Sequence, residues 1–339
     1  MPERQKEEKM KNRSVIIGCG AIAPLHVKAL LQSEFAELAA LCDVEKSHAE
    51  KLAEENGLSV PVYTDYREMI EKEKPGAVHI CTPHFLHAEM AIYALERGIH
   101  VFLEKPACMN FTELAALAEA ERQSSAHLCV CFQNRFLPAN LEAKRLIDEG
   151  EIGKVLGMRG FVTWNRRGAY YAESPWRGRK ETEGGSVLMN QAIHTLDLMH
   201  YFGGTPESVE GKLSNHHMKG INNTEDTAEI YMKFPNGATG LFYATTAFCA
   251  SSPIFLEVVG EKKTLRIEGN RLWIDGVLFE GAEEEVSHGG KAVWGNGHKI
   301  LIEEFYRTLG EKSPVPLAEG ARVLRTVFSL YEENRDIRL

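Results

Sequence analysis

The chain has 339 residues, 44% of them hydrophobic and 26% charged, with a formal net charge of -9 at pH 7. This composition is ordinary for a globular protein and excludes disorder or a fibrous repeat as the main organisation. The acidic balance offers no basic face for nucleic acid or anionic lipid, and no apolar run approaches the roughly 18 residues of a membrane span. We therefore expect a small-molecule partner, neither nucleic acid nor membrane, and a cytoplasmic location, since the N-terminal residues lack a secretion signal's apolar core.

The first third of the chain alternates short apolar runs with helical patterns. The predicted strands are 14–18, 36–43, 61–64, 76–82, 99–104 and 127–132, and the predicted helices are 21–32, 45–56, 84–97, 111–124 and one beginning near residue 66. Strands separated by helices in this rhythm predict a parallel sheet covered on both faces. We expect a flexible tail over 1–13 and a doubly wound Rossmann domain over 14–135.

The pattern changes after residue 135. One helix over 138–149 is followed by long strand-like segments, which lie at 155–165, 207–216, 227–234 and 238–248. Turn signals such as Pro235-Asn236-Gly237 between them suit a large, mostly antiparallel, open sheet. Residues 136–339 are therefore predicted to form an α+β domain for substrate binding and oligomerisation, whose two last helices can pack back on the first domain.

Seven cysteines are present, and five of them lie in or beside apolar runs of the N-terminal third. An odd number in such positions indicates buried free thiols of a cytosolic protein rather than a disulfide framework. Cysteine and histidine pairs with the spacing of a zinc site are lacking, so we expect no metal.

The stretch "VIIGCGAIA" joins the first strand to the first helix and has the pattern of a dinucleotide-binding fingerprint. Gly18 permits a tight turn, and Gly20 lets a pyrophosphate approach the backbone. The amides of Ala21 and Ile22, at the start of the helix, would face the phosphates. Asp43 follows the second strand, where a carboxylate binds ribose hydroxyls and repels a 2'-phosphate, which favours NAD over NADP.

The fourth and fifth strands end in polar residues at the sheet edge where such folds bind ligands. Thr82, Pro83 and His87 follow the fourth strand, and we expect them near the nicotinamide. For His87 the sequence equally allows a polar residue at a helix start, facing water. Glu104, Lys105 and Pro106 end the fifth strand, and we expect Glu104 and Lys105 beside the coenzyme. A partly desolvated lysine there could take a hydroxyl proton. The alternative is a surface Glu-Lys pair.

Residues 183–204 read as a glycine-rich turn that enters an amphipathic helix. Asn190, His194 and Asp197 are spaced by four and three residues, so they would share one helix face and bind substrate. A buried network that ties the helix to the sheet remains the alternative. The loop "WNRRGAYYAESPWRG" combines aromatic residues, Trp176 among them, with arginines, which suits sugar binding, an oligomer contact or a helix-capping loop.

Together these motifs resemble the glucose-fructose oxidoreductase, inositol dehydrogenase and MocA family over essentially the whole chain from about residue 14. The resemblance rests on "GCGAIA", "VYTDYREM", "CTPHFLHAEMA", "EKP", "FQNRF", the "IHTLD" helix and "EDTAEI", in that order. It implies that Lys105 is the catalytic lysine, with Glu104 and Pro106 completing its motif, and that His194 assists proton transfer. It also places Arg135 near the substrate.

One position departs from the family pattern, because sugar dehydrogenases of this family usually have aspartate where this chain has Asn190. An amide cannot relay a proton. We therefore assign the base chemistry to Lys105 together with His194, and we expect Asn190 to orient a hydroxyl by hydrogen bonding.

Three functions are compatible with these residues. The leading one is an NAD-dependent oxidoreductase that transfers hydride between the nicotinamide and a secondary hydroxyl or ketone of a sugar, inositol or related polyol. The second is a glycoside-cleaving enzyme that recycles NAD through oxidation and elimination. The third is a dinucleotide-sensing regulator, although Lys105 and His194 together argue for catalysis. The resemblance also implies a homodimer or homotetramer.

Overall fold

The computed structural model describes residues 11–166, 168–282 and 295–334. Most of the predicted tail over 1–13 therefore lies outside the described residues, and the first strand already begins at Asn12, two residues earlier than expected. Two sheets organise the described chain, one on each side of a connection that includes residues 133–148. The predicted domain limits at 14–135 and 136–339 remain a prediction.

The first sheet is built by alternating strands and helices. These are β1 (Asn12–Ile17), α1 (Ala23–Gln32), β2 (Ala36–Cys42), α2 (Lys46–Glu55), β3 (Val62–Tyr63), α3 (Tyr66–Glu73), β4 (Ala77–Ile80), α4 (His87–Leu95), β5 (His100–Glu104), α5 (Phe111–Gln123) and β6 (Leu128–Cys131). Within the described residues the six strands are all parallel, in the order β3-β2-β1-β4-β5-β6. Every residue of β4 and β6 is buried, as expected for strands covered on both faces. The order reverses between β1 and β4, which opens a crevice at the carboxyl ends of these strands.

The second sheet follows a 3-10 turn (Gln133–Phe136) and α6 (Pro138–Asp148). Its elements are β7 (Val155–Thr163), α7 (Gly168–Ala172), α8 (Lys180–Glu183), a π-helical turn (Val187–Gln191), α9 (Ile193–Gly203), β8 (Ser208–Ser214), β9 (Thr227–Lys233), β10 (Thr239–Thr245), β11 (Phe255–Gly260), β12 (Thr264–Glu268), β13 (Arg271–Ile274) and β14 (Val277–Leu278). The strand order is β14-β13-β12-β11-β7-β10-β9-β8, and among these described strands only β7 and β10 pair in parallel. The predicted mostly antiparallel sheet is thus confirmed.

Helices cover one face of this sheet and leave part of the other to solvent. Helix α9 packs on β7, and the last helix, α11 (Leu317–Glu333), packs on β8. Leu156, Tyr231 and Leu241 are exposed. An open apolar face of this kind is compatible with the predicted oligomer, which remains a prediction.

The two C-terminal helices join the domains. Helix α10 (Gly297–Arg307) packs against α1, and α11 packs against α5 and β6 as well as against α9. Both helices therefore contact elements of the first sheet, and the predicted division into domains remains a prediction. All seven thiols are free and six are buried. None of the helices in the described part of the chain combines the length and apolarity that crossing a bilayer requires.

Residues 183–204, predicted as a glycine-rich turn that enters one amphipathic helix, form several shorter elements in the structure. Helix α8 ends at Glu183, the π-helical turn carries Asn190, and α9 begins only at Ile193. The Glu225 carboxylate accepts hydrogen bonds from the amides of Ser186 and Leu188 and so ties this turn to the approach to β9. Asn190 and Asp197 therefore do not share one regular helix face.

Candidate active site

The fingerprint turn after β1 lies directly against the end of β4. Gly18 has φ +91°, and a Cβ atom there would lie 2.7 Å from the carbonyl carbon and oxygen of Cys81, so only glycine fits. At Gly20, by contrast, a Cβ would meet nothing within 4 Å. Ala21 and Ile22 lead into α1, which has no side-chain cap. Open space beside an uncapped helix start fits a phosphate group.

Asp43 stands at the end of β2, beside this turn. Its two carboxylate oxygens accept hydrogen bonds from the amides of Cys19, at 2.8 Å, and Glu45, at 2.9 Å. The side chain is only partly exposed and its orientation is fixed from both sides. A carboxylate held in this place fits ribose hydroxyl groups and opposes a 2'-phosphate. The turn with Gly18 and Gly20, together with the Asp43 carboxylate, therefore fits NAD.

Thr82 and Pro83 are partly exposed beside Gly18, where the sequence placed them, but His87 is not. The His87 ring is buried, and its two nitrogens lie 2.7 Å from the Pro106 carbonyl oxygen and 2.8 Å from that of Thr82. The predicted alternative of a ring facing water is wrong, and a place for His87 near the nicotinamide remains a prediction. Because its ring nitrogens face main-chain carbonyls on both sides, His87 instead ties the turn after β4 to the turn after Lys105.

Lys105 projects from the end of β5 towards the second domain. Its Nζ donates hydrogen bonds to the backbone oxygen of Asn190 at 3.0 Å and to the side-chain Oδ1 of Asn190 at 3.1 Å. Burial lowers the pKa of Lys105 below its usual value, although the nearby Glu104 and Glu183 carboxylates oppose this shift. The Lys105–Pro106 peptide bond is cis. The lysine amine thus stands between the two domains with a lowered affinity for its proton.

Sequence reasoning missed Glu183, which is fully buried at the end of α8. Its Oε1 accepts a hydrogen bond from the Asn190 side-chain amide, and its Oε2 accepts one from the Gly178 backbone amide. Burial raises the pKa of Glu183 to about 7, against these hydrogen bonds and the charge of Lys105. The only sequence signal was a carboxylate directly before the Gly184-Gly185 pair.

His194 lies in the first turn of α9 and is partly exposed. Desolvation and the nearby Lys105 charge hold the pKa of His194 well below its usual value, so the ring is neutral near pH 7. Its Nε2 is 3.4 Å from the Gln133 amide nitrogen, its ring packs edge-on to Phe132, and its Nδ1 has no hydrogen-bond partner within the described residues. A neutral, weakly bonded imidazole can still donate to or accept from a substrate hydroxyl.

Two predicted substrate residues are turned away from this site. Arg135 and Asp197 form a buried bidentate ion pair, with nitrogen–oxygen distances of 2.7 and 2.6 Å, and Arg135 also reaches Glu319 at 3.0 Å. The Arg135 guanidinium lies over the Tyr201 ring. Because the Asp197 carboxylate is occupied on both oxygens, the buried-network interpretation holds for it and the substrate role of both residues is corrected.

Glu104, predicted beside the coenzyme, also points elsewhere. Successive side chains of a strand face opposite sides, so Glu104 enters the interior while Lys105 faces the second domain. The buried Glu104 Oε1 lies 2.9 Å from His26 Nε2 and 3.3 Å from His298 Nε2. Burial alone would raise the pKa of Glu104, but its bonds to the two imidazoles lower that pKa well below 4.5.

The aromatic loop reaches the same site. The Tyr170 hydroxyl accepts a hydrogen bond from the Gln191 amide at 2.7 Å and lies 3.5 Å from the Asn190 amide nitrogen. Arg177 lies over the Tyr170 ring at 4.4 Å. The partly exposed Trp176 ring packs on His84 at 4.8 Å. The loop thus borders the Lys105–Asn190 site, and the choice between sugar binding and an oligomer contact, like the role of Trp176, remains a prediction.

A fingerprint turn at the switch point of a Rossmann sheet, faced by a lysine and a histidine, defines a nicotinamide-dependent oxidoreductase. Residues 12–132 match the family model described as oxidoreductase family, NAD-binding Rossmann fold, and residues 140–266 match the GFO/IDH/MocA C-terminal domain. The chain belongs to this GFO/IDH/MocA family of oxidoreductases. The predicted family, fold and coenzyme are therefore confirmed.

Three proteins are similar to this chain. The scyllo-inositol 2-dehydrogenase (NAD(+)) of Bacillus subtilis is 32% identical, over 75% of this chain and 73% of its own. The 2,7-anhydro-N-acetylneuraminate hydratase of Mediterraneibacter gnavus is 27% identical, over 80% of this chain and 73% of its own. The WlbA dehydrogenase of Bordetella pertussis, solved with NADH and UDP-GlcNAcA, has a TM-score of 0.85 at 27% identity, with 96% of this chain and 97% of that chain covered.

Proposed function

We propose that this protein is an NAD-dependent dehydrogenase that oxidises a secondary hydroxyl group of a sugar, inositol or related polyol, or reduces the corresponding ketone. The observation that carries the proposal is the contact of Lys105 Nζ with Asn190, which holds an amine of lowered pKa at the coenzyme edge of the sheet. The relatedness to an inositol dehydrogenase supports the substrate class.

Bound NAD would accept the hydride in oxidation and return it in reduction. In oxidation, the neutral Lys105 amine takes the hydroxyl proton at its Nζ, and in reduction the ammonium returns that proton to the carbonyl oxygen. His194 holds the same hydroxyl oxygen by a hydrogen bond from its neutral ring. Asn190 accepts from the amine and so fixes its position.

Substrate selection is assigned to the partly exposed loop beside Asn190. Tyr170 and Trp176 offer ring faces of the kind that pack on sugars, and Arg177 offers donors for hydroxyl or carboxylate groups.

A second candidate is redox-neutral catalysis, in which transient oxidation activates a neighbouring bond for elimination or water addition and the product is then reduced. The relatedness to a hydratase supports this candidate, because a hydratase changes the water content of its substrate without net oxidation. Lys105 and His194 would serve both reactions in the same positions.

One experiment separates the two candidates. The purified protein is incubated with NAD and a panel of inositols, free sugars, sugar acids and glycosides, while nicotinamide absorbance and the eliminated or hydrated product are followed in the same wells. NADH accumulation would support the dehydrogenase. Product formation without NADH would support redox-neutral catalysis. Binding of NADH without turnover across the panel, with the Lys105→Met variant unchanged in every respect, would contradict both.

A further inference from the structure

The Asn190 side chain connects Lys105 to a second buried ionisable group. Its Oδ1 accepts from the lysine amine, and its Nδ2 donates to Glu183 Oε1. An amide has one acceptor end and one donor end, so its orientation is decided by what faces each of them. When it is ionised, above its pKa of about 7, the Glu183 carboxylate is acceptor-only, which directs Nδ2 towards Glu183 and leaves Oδ1 for Lys105.

Glu183 is held rigidly in this position. Its Oε2 accepts from the Gly178 amide, and its backbone oxygen lies 2.8 Å from Nδ1 of the buried His84. Within the described ranges, it forms no direct ion pair. A buried carboxylate without a direct cation is costly, and a role that needs its negative charge would explain its retention.

We propose that Glu183 is a positioning residue for Lys105: through the Asn190 side chain it holds the amine at the cleft, and its negative charge stabilises the ammonium that forms there. The inference rests on the proposed function, in which Lys105 takes the hydroxyl proton. Formation of an ammonium in a buried site is unfavourable unless a negative charge lies close to it. Asn190 cannot supply that charge, whereas Glu183 lies directly behind it.

Other ionisable groups around Glu183 come from several elements. They are Lys105 after β5, His84 after β4, Tyr170 and Tyr171 on α7, Glu225 before β9 and Tyr331 on α11. Glu225 raises the pKa of Glu183, whereas Lys105 lowers it. Lys105 itself faces four charged or ionisable groups: Glu104, Glu183 and Cys131 raise its pKa, and Arg177 lowers it. Among the groups around Glu183, Lys105 is the one whose charge changes during the proposed reaction, and removal of the Glu183 charge should lower the pKa of Lys105.

The test is Glu183→Gln, which keeps the size of the side chain and removes its charge. The reactivity of Lys105 towards an acylating reagent is measured against pH by peptide mass spectrometry, because the neutral amine reacts and the ammonium does not. Without the carboxylate the ammonium is less stable, so the midpoint should fall by about one pH unit. Once a substrate is known, the acidic limb of the kcat/KM profile for oxidation should move in the same direction.

Glu181→Gln is the matched control, because Glu181 is an exposed carboxylate on the same short helix. It changes the net charge equally and should leave the midpoint in place. An unshifted midpoint in a folded Glu183→Gln protein that still binds NADH would overturn the inference. If Glu183→Gln does not fold, Glu183→Asp is the second variant, because it shortens the side chain by one methylene and moves the charge away from Asn190. An unchanged midpoint of Lys105 labelling together with an unchanged kcat in this variant would also overturn the inference.

The labelling measurement needs no turnover. A shifted midpoint in a protein that oxidises nothing would reject the proposed function while supporting the coupling of Glu183 to Lys105. An active dehydrogenase with an unshifted midpoint would reject only the role of Glu183.

Discussion

Glu104 and Lys105 are consecutive residues, yet their side chains enter two different polar clusters. The interior cluster consists of Glu104, His26, His79, Tyr306 and Ser14, joined in series by contacts of 2.9, 2.9, 2.7 and 2.7 Å. The cleft cluster consists of Lys105, Asn190, Glu183 and His194 and joins the two domains.

The two clusters differ in how completely they are paired. Every member of the interior cluster is buried and has a polar neighbour within the cluster, so it is suited to stabilising the packing of α10 on the first domain. In the cleft cluster, Lys105, Asn190 and His194 are partly exposed, and the pKa values of Lys105 and Glu183 are displaced towards neutrality. Adjacent residues of one strand thus serve stability on one side and proton exchange on the other.

The sharpest test of this contrast is Lys105→Met. We expect kcat/KM to fall by about 10²–10⁴-fold, because the proton acceptor is lost, while NADH binding and the free energy of unfolding change little. Steady-state kinetics, NADH fluorescence and urea unfolding measure the three quantities. The exposed Lys51→Met variant is the control and should behave as the parent. Undiminished turnover would remove Lys105 from the chemistry.

Glu104→Ala should show the opposite profile. Loss of the carboxylate leaves two buried imidazoles without their acceptor, and we expect the free energy of unfolding to fall by about 3 kcal/mol. Glu104→Gln retains one acceptor oxygen and should lose less. NADH affinity, measured by fluorescence titration, should remain unchanged in the folded Glu104→Gln protein. A clear loss of that affinity would restore Glu104 to the coenzyme site.

Glu183→Gln should also change how stability depends on pH. The pKa of Glu183 is raised to about 7 in the folded protein, from a usual value of 4.5. The folded protein therefore binds more protons than the unfolded chain between these values, so this group makes the parent lose stability as pH rises through that range. Between pH 4.5 and pH 7.5, we expect the free energy of unfolding of the parent to fall by about 2–3 kcal/mol relative to that of Glu183→Gln. Urea unfolding at a series of pH values measures this difference. A difference in the free energy of unfolding between parent and variant that stays the same at every pH would contradict the raised pKa of Glu183.

Tyr306→Phe should have the smallest effect. It removes the hydroxyl that connects His79 to Ser14, and we expect the free energy of unfolding to fall by about 1–2 kcal/mol. The value of kcat/KM should stay within about twofold of the parent, since the interior cluster does not exchange the substrate proton. A large kinetic effect would show that the two clusters are coupled and would break the contrast.

The residues that sequence analysis placed well depend on local backbone geometry. Gly18, Gly20 and Asp43 follow directly from strand ends and a tight turn, and Lys105 follows from its position at the carboxyl end of β5. The residues placed wrongly are polar side chains whose partners are distant in the chain. Glu104 meets His26 across 78 positions, and Arg135 meets Asp197 across 62.

Glu183 shows the same limit at short range. It is seven positions from Asn190, and only the unpredicted break between α8 and the π-helical turn brings the two side chains together. A regular helix through this segment would have placed Asn190, His194 and Asp197 on one face instead. The break is maintained by Glu225, which approaches from another part of the chain.

The sequence by itself determined the two-sheet architecture, the NAD-binding turn and the lysine at the sheet edge, because strand and helix periodicity and glycine geometry are local properties. The family followed from the resemblance of its ordered motifs. The tertiary structure decided which polar side chains face the cleft and which are buried and paired with one another in the interior. A buried ionisable group takes its charge and its role from its neighbours in space, and those neighbours are set by packing between segments that are separated in sequence.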